Sequence, residues 1–197
     1  MIQRCCEFVT EMEAIPSLNE AKMALIDCLR TQTDGKIYVE IERARLTLKL
    51  ATLREAKGQT AEAAKIINEL QVETYGSMER QEKVAFILEQ MRMTIADKDF
   101  VRSQIISKKV STRYFSGKEA EKEEVQKLKI KYYKLMIELS MGDKKYLDVA
   151  THFIHLTETQ LIKDEKNHVK LSSLISFFTA LLVYRGARIR CRILHPC

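Results

Sequence analysis

The chain is poor in the residues that interrupt helices. Its 197 residues hold two prolines, Pro16 and Pro196, and six glycines. Proline removes a backbone donor and clashes with the preceding turn, and glycine adds backbone entropy, so their scarcity leaves long helices free to form. Tryptophan is missing, and the β-branched residues are scattered instead of alternating, which gives a sheet little support. The glycine-rich phosphate cradles GxxxxGKS/T and GxGxxG do not occur, nor do the GxSxG elbow and the HExxH zinc helix. With them go the commonest routes to nucleotide binding, acyl transfer and metal-assisted hydrolysis. Five cysteines are present, Cys5, Cys6, Cys28, Cys191 and Cys197, and none forms a CxxC pair. The opening MIQRCCEFVTEME acquires acids early and has no long apolar core, so it does not read as a secretion signal. The cysteines are therefore expected to be free thiols of a reducing compartment.

An excess of one charge is also nearly missing. The formal net charge is +6, but Arg185, Arg188, Arg190 and Arg192 stand in a stretch without acids, which leaves residues 1–170 at +2. Nucleic-acid binding needs basic residues gathered on one face. Here the lysines are interleaved with acids, as in KEAEKEEVQKLKIK, which reads as a solvated helix face. The longest uncharged run, Leu171–Tyr184, has 14 residues and contains Ser172, Ser173, Ser176 and Thr179. A membrane span needs about 20 apolar residues. Cys197 is the final residue, whereas prenylation needs a cysteine fourth from the end. Neither a nucleic acid nor a membrane is expected as a partner.

The remaining chemistry-bearing residues have structural explanations. His152 and His155 lie three apart with Glu158 one turn on, a spacing that can hold a metal, but a fourth ligand is not evident. Cys191, His195 and Cys197 lack a recurring ligand spacing. Cys5 and Cys6 fit one buried and one grazing residue on an amphipathic helix better than a reactive thiol pair. Glu40 and Glu42 fit salt-bridged surface groups better than acid–base catalysts. Tyr132–Tyr133 and Phe177–Phe178 fit packing better than base stacking. The reading assigns no catalytic, cofactor-binding or metal residues, no cofactor and no small-molecule substrate. The chain is expected not to be an enzyme.

What is present is a repeat. SLNEAKMALIDCL, QTAEAAKIINELQ, DFVRSQIISKKV and KYLDVATHFIHL can be laid over one another at Leu18, Thr60, Phe100 and Tyr146, with spacings of 42, 40 and 46 residues. A longer amphipathic helix and a short polar turn (AKGQ, ADKD, MGDK) precede each of the last three. Nine helices are predicted, at 3–14, 17–32, 36–57, 60–75, 77–96, 98–110, 118–140, 143–160 and 165–184. Gly58 and Gly142 suit the left-handed residue that ends a helix, and Thr60 and Asp143 suit N-caps. Gly76 and Ser77 read as stop and cap, and Ser116 with Glu119 as a capping box. In the third helix Ile37, Ile41, Ala44, Leu48 and Ala51 form one apolar stripe, widened by Leu50 and Leu53. STRYFSGKEAEKE is the expected flexible insertion. The fold class is therefore all-α: a right-handed superhelical array of antiparallel helix pairs, TPR-like or PCI-type.

Particular strings add to this pattern. GKIYVEIERARLT, LQVETYGSM, VAFILEQMRM, QIISKK and LKIKYYKLMIEL, with IQRCCEFV and LIDCLRTQTDGK, occur in consistent order over residues 1–165. Together they closely resemble the family of the fifth non-ATPase subunit in the lid of the proteasome regulatory particle. The resemblance implies a non-catalytic scaffold in the cytoplasm and nucleus, active in ubiquitin-dependent protein degradation. Its implied partners are other lid, base and core-particle subunits. It also implies a helical-repeat arm at 1–165, inside which this chain starts, followed in the family by a PCI winged-helix module. That module is expected to be absent here. Residues 166–184 are expected to form an apolar helix of uncertain origin and 185–197 a basic tail without a fold. The alternatives are a scaffold of a related PCI complex (signalosome or translation initiation) or a truncated product that is not incorporated. In the GKIYVEIERARL stretch, Glu40 and Arg43 project away from the Ile37–Ile41–Ala44 stripe. They are the candidate partner-contact residues, beside a plainer reading as a solvated face with i, i+3 pairing.

Overall fold

The computed structural model describes residues 2–11, 19–117 and 122–159. Among them the chain forms eight α-helices: α1 (Ile2–Glu11), α2 (Asn19–Gln32), α3 (Glu40–Ala56), α4 (Thr60–Asn68), α5 (Arg80–Ala96), α6 (Phe100–Ser107), α7 (Glu123–Gly142) and α8 (Tyr146–Thr157). Short 3-10 turns lie at Ile37–Val39, Val72–Thr74 and Thr112–Ser116. No strand occurs among the described residues. The protein is all-α, built of helix pairs as the repeat pattern predicts. The helix predicted at 165–184 and the tail at 185–197 lie outside the described residues.

The second helices of three pairs begin at the residues that anchor the repeat: Thr60, Phe100 and Tyr146. The turns before them share one hydrogen-bond pattern. Gly58 N–H donates to Glu55 C=O at 2.8 Å and Gln59 N–H to Arg54 C=O at 3.0 Å. Lys98 and Asp99 repeat this toward Ile95 and Thr94 at 2.8 and 3.1 Å, and Lys144 and Lys145 toward Met141 and Ser140 at 3.1 and 2.9 Å. Each is a Schellman ending, which satisfies two carbonyls that the helix terminus leaves over. The central residues Gly58, Lys98 and Lys144 are left-handed, with φ of +81°, +63° and +60°.

Several sequence expectations are corrected here. Gly142 is the last helical residue of α7, and Lys144 takes the left-handed position instead. Thr60 is the first helical residue of α4, behind Gln59, whose side chain makes no capping bond. Asp143 ends α7 without opening α8, and its carboxylate accepts from Lys145 Nζ at 3.1 Å and from Gln104 Nε2. The capping carboxylate is Asp99, which accepts from Arg102 N–H at 3.0 Å. The helix predicted at 60–75 stops at Asn68. The one predicted from Ser77 starts at Arg80, so Ser77 caps nothing there. Glu119 of the predicted capping box lies outside the described residues. The insertion STRYFSGKEAEKE is anchored in its first half: Tyr114 and Phe115 are buried.

The chain divides into two compact units between Arg102 and Ser103. In the first, α1, α2 and α3 pack together, α3 packs on α4, and α4 on α5. Val9, Met23, Ile26, Leu46 and Leu50 form the core, flanked by Leu25, Leu29, Leu53 and Ile66. Polar side chains then lock α3 to the strip that contains α5. Ser77 Oγ donates to Glu40 Oε1 at 3.1 Å. Arg45 clasps Glu82 at 2.7 and 3.0 Å, and Arg92 clasps Glu55 at 2.6 and 2.7 Å. Each pair is separated by 37 residues. A constant offset means that the two segments run parallel, about one helical turn out of step with the 40-residue repeat. The seam from Glu40 to Glu55 extends roughly 22 Å at 1.5 Å per residue.

The second unit is built on α7 against α8, with the Thr112–Ser116 turn on α7. Its core is aromatic. Tyr114, Phe115, Tyr132 and Tyr133 follow one another at centroid distances of 5.7, 5.5 and 5.2 Å, distances typical of favourable ring pairs. Tyr133 then meets His152 at 6.0 Å and stacks on His155 at 5.3 Å. Tyr132 and Tyr133 are thus packing residues, as their sequence context suggests.

Candidate functional site

The candidate surface lies where α2 hands over to α3. Thr33 closes α2 by donating its hydroxyl to Leu29 C=O at 2.8 Å. Gly35 then turns the chain with φ of +69°, a region that costs a residue with a Cβ about 1 kcal/mol. The next residues form the Ile37–Val39 turn, with Val39 buried as its anchor. In so tight a turn, anchoring Val39 leaves its two predecessors facing out. Ile37 is 79% exposed and Tyr38 80% exposed.

This overturns part of the predicted stripe. Ile37 precedes α3, so the helical phase that would place it with Ile41 and Ala44 does not reach it. The face of α3 that is buried is Ala44, Leu46, Thr47, Leu50 and Ala51, while Ile41 and Leu48 are half-buried. Two adjacent apolar side chains in water are a cost that a partner's pocket can remove, on the order of 1.5–3 kcal/mol each if fully buried.

Glu40 and Arg43 flank this projection, but they do not pair with each other. Arg43 Nη1 lies 2.6 Å from Asp34 Oδ1, and Glu40 accepts from Ser77. Both influence Tyr75. Burial pushes the Tyr75 phenol above its ordinary range, Arg43 opposes that, and Glu40 and Glu73 add to it. Arg43 Nε is buried without a hydrogen-bond partner among the described residues. The arrangement is an exposed apolar tip beside Asp34, Glu40, Arg43, Tyr75 and Ser77. The sequence reading did not single out the exposure of Ile37 and Tyr38, although Gly35 marks the break before them.

His155 Nδ1 is 3.4 Å from Glu158 and both histidines pack on Tyr133. No group of three or more His, Cys, Asp or Glu suited to a metal occurs among the described residues. A cleft of about 640 Å³ is lined by Arg4, Cys5, Phe8 and Leu25 in the first unit. One of about 410 Å³ in the second is lined by polar side chains that include Gln104, Asp143 and His152. No helix among the described residues is long and apolar enough to cross a membrane.

Comparison with known proteins settles the family. Residues 1–165 match the family model described as PSMD12/CSN4, N-terminal. The chain belongs to the PSMD12/CSN4 family. Relatives carry proteasome names. The 26S proteasome non-ATPase regulatory subunit 12 of Dictyostelium discoideum is 44% identical over 144 residues, 73% of this chain and 31% of that protein. The 26S proteasome regulatory subunit RPN5 of Saccharomyces cerevisiae is 37% identical over 185 residues, 93% of this chain and 40% of that protein. Subunit rpn501 of Schizosaccharomyces pombe is 40% identical over 156 residues, 78% of this chain and 34% of that protein. The chain therefore spans about a third to two fifths of the length of these family members. The yeast alignment covers more of the chain than the family match does, so similarity continues past residue 165. These findings agree with the resemblance carried by GKIYVEIERARLT and its companion strings.

Proposed function

We propose that the chain is a non-catalytic helical scaffold of the proteasome regulatory-particle lid, acting in ubiquitin-dependent protein degradation in the cytoplasm and nucleus. The match of residues 1–165 to the PSMD12/CSN4 model, with relatives named as 26S proteasome regulatory subunits, carries the reading. Its partners are other lid, base and core-particle subunits, met through surfaces and not through a substrate pocket. The surface proposed for one such contact is the Ile37–Tyr38 tip with Glu40 and Arg43 at its rim. Their side chains are held by Ser77 and Asp34, so little side-chain entropy is lost when the tip docks.

Affinity purification tests the assignment. A tagged version extended to the length of its relatives, expressed in the source cells, is expected in intact 26S particles. Its exclusion from them would sink the proposal. The contact surface is tested by Ile37→Asp in the same background, which should lower recovery of neighbouring subunits while circular dichroism stays unchanged.

A further inference from the structure

The contact tip carries a group that can be modified. Of the described tyrosines, only Tyr38 stands in solvent: Tyr75 and Tyr146 are half-buried, and Tyr114, Tyr132 and Tyr133 are buried. Its hydroxyl has no hydrogen-bond partner among the described residues, so a group added there displaces no internal contact. Several backbone hydrogen bonds from Asp34 to Val39 are long. Asp34 N–H reaches Thr31 C=O at 3.4 Å, Lys36 N–H reaches Thr33 C=O at 3.3 Å, and Val39 N–H reaches Lys36 C=O at 3.2 Å. These lie at or beyond the long end of ordinary N–H···O distances. No side chain caps either the turn or α3, and Val39 is the segment's one buried anchor between Asp34 and Val39. Such a segment opens locally at low cost, as an extended substrate must when it enters an enzyme cleft. Glu40 and Glu42 stand two and four residues further on, inside Lys36 and Arg43, and supply negative charge that a basic cleft would attract.

We propose that Tyr38 is the phosphate acceptor for a protein tyrosine kinase, and that the modification blocks docking of the Ile37–Tyr38 tip. In the transfer, Tyr38 Oη attacks the γ-phosphorus of Mg-ATP. The new O–P bond forms as the bond from that phosphorus to the β,γ-bridging oxygen breaks. ADP departs and the phenolic proton passes to the kinase's base. The product carries about −1.5 to −2 charges at neutral pH. That charge would have to enter an apolar pocket, beside Glu40 and Glu42. The regulatory half of this inference rests on the contact-surface reading above.

The experiment treats the folded chain with a broad-specificity tyrosine kinase and Mg-ATP and maps phosphotyrosine by mass spectrometry. Tyr38 should take most of the phosphate, and Tyr38→Phe should lower the initial rate about tenfold or more, while Tyr75→Phe changes it less than twofold. Incorporation spread over Tyr75 and Tyr146, or a Tyr38→Phe rate equal to the parent's, overturns the site. Binding to isolated lid subunits is then compared before and after treatment. A loss of tenfold or more that Tyr38→Phe does not show on treatment supports the switch. If Ile37→Asp abolishes binding but stoichiometric phosphate on Tyr38 leaves it intact, the switch is wrong and the contact surface stands. If Ile37→Asp itself binds normally, the contact surface is wrong and the switch falls with it.

Discussion

Gln90 offers the sharpest test of how the first unit is held together. It sits in α5, 1% exposed, and reaches back to the end of α4. Its Nε2 donates to Ile67 C=O at 2.8 Å and to Leu70 C=O at 3.0 Å, two carbonyls at the place where α4 stops and the chain turns. Thr94 and Asn68 extend the link: Asn68 Nδ2 donates to Thr94 Oγ1 at 3.0 Å, which in turn donates to Gln90 C=O at 2.6 Å. In Gln90→Leu the volume is kept and both donors vanish. Each buried carbonyl left without its donor costs about 1–2 kcal/mol. Gln90 Oε1 is itself buried without a partner, so its removal returns about 1 kcal/mol. The net loss is about 2 kcal/mol. Gln90→Glu should be worse, at about 3 kcal/mol or more, because a carboxylate then faces two carbonyls in a dry site. That variant should also recover stability as the pH falls, since the protonated acid can donate once. Urea denaturation followed by circular dichroism measures both, with an unchanged slope as the check that only stability moved. A Gln90→Leu variant within 0.5 kcal/mol of the parent would refute the claim that Gln90 fastens the two helices.

A double-mutant cycle on Arg92 and Glu55 should show a coupling of about 1–2 kcal/mol, discounted from the buried value because both side chains are partly solvated. The hydrogen bond from Arg92 is the main reason the Glu55 carboxyl is held below its ordinary range, so that stability is present at neutral pH and is lost as the pH falls through the depressed value. His152 behaves in the opposite chemical sense but also favours higher pH. Burial lowers its imidazole, Asp148 opposing and His155 adding, so the neutral form is the folded one. Stability should be complete above about pH 6.5 and fall as the pH drops through that value toward the lower folded one; His152→Phe should flatten this limb in denaturation midpoints taken between pH 7.5 and 5.5. At the helix ends, Gly58→Ala should cost about 1 kcal/mol, because a Cβ there meets open space but a strained backbone. Lys144→Gly should be neutral or stabilising by up to about 1 kcal/mol, since it relieves that strain; urea denaturation measures both.

The periodicity of the chain determined much of this protein by itself. Apolar residues three or four apart, few breakers and a repeat near 40 residues dictated paired helices, and the starts at Thr60, Phe100 and Tyr146 fell where that repeat placed them. Local chemistry was also enough for Gly58, which has no Cβ to strain. It misled at Gly142, because the turn's length and its hydrogen bonds, and not the nearest glycine, select which residue goes left-handed; Lys98 and Lys144 pay that cost because two carbonyls are satisfied in return. Glu40 and Arg43 were legible as near neighbours, since they stand three positions apart on a helix. Their partners were not, because Ser77 and Asp34 come near only after α3 packs. Ile37 is the plainest case. Its hydrophobicity suggested a buried stripe, but burial depends on where the helix begins, and Val39 had already taken the one inward position of the turn. The 37-residue offset of the α3 seam likewise has no signature in composition or period. It follows from how far one helix must slide along the next for their side chains to interlock, and only the packed chain fixes that distance.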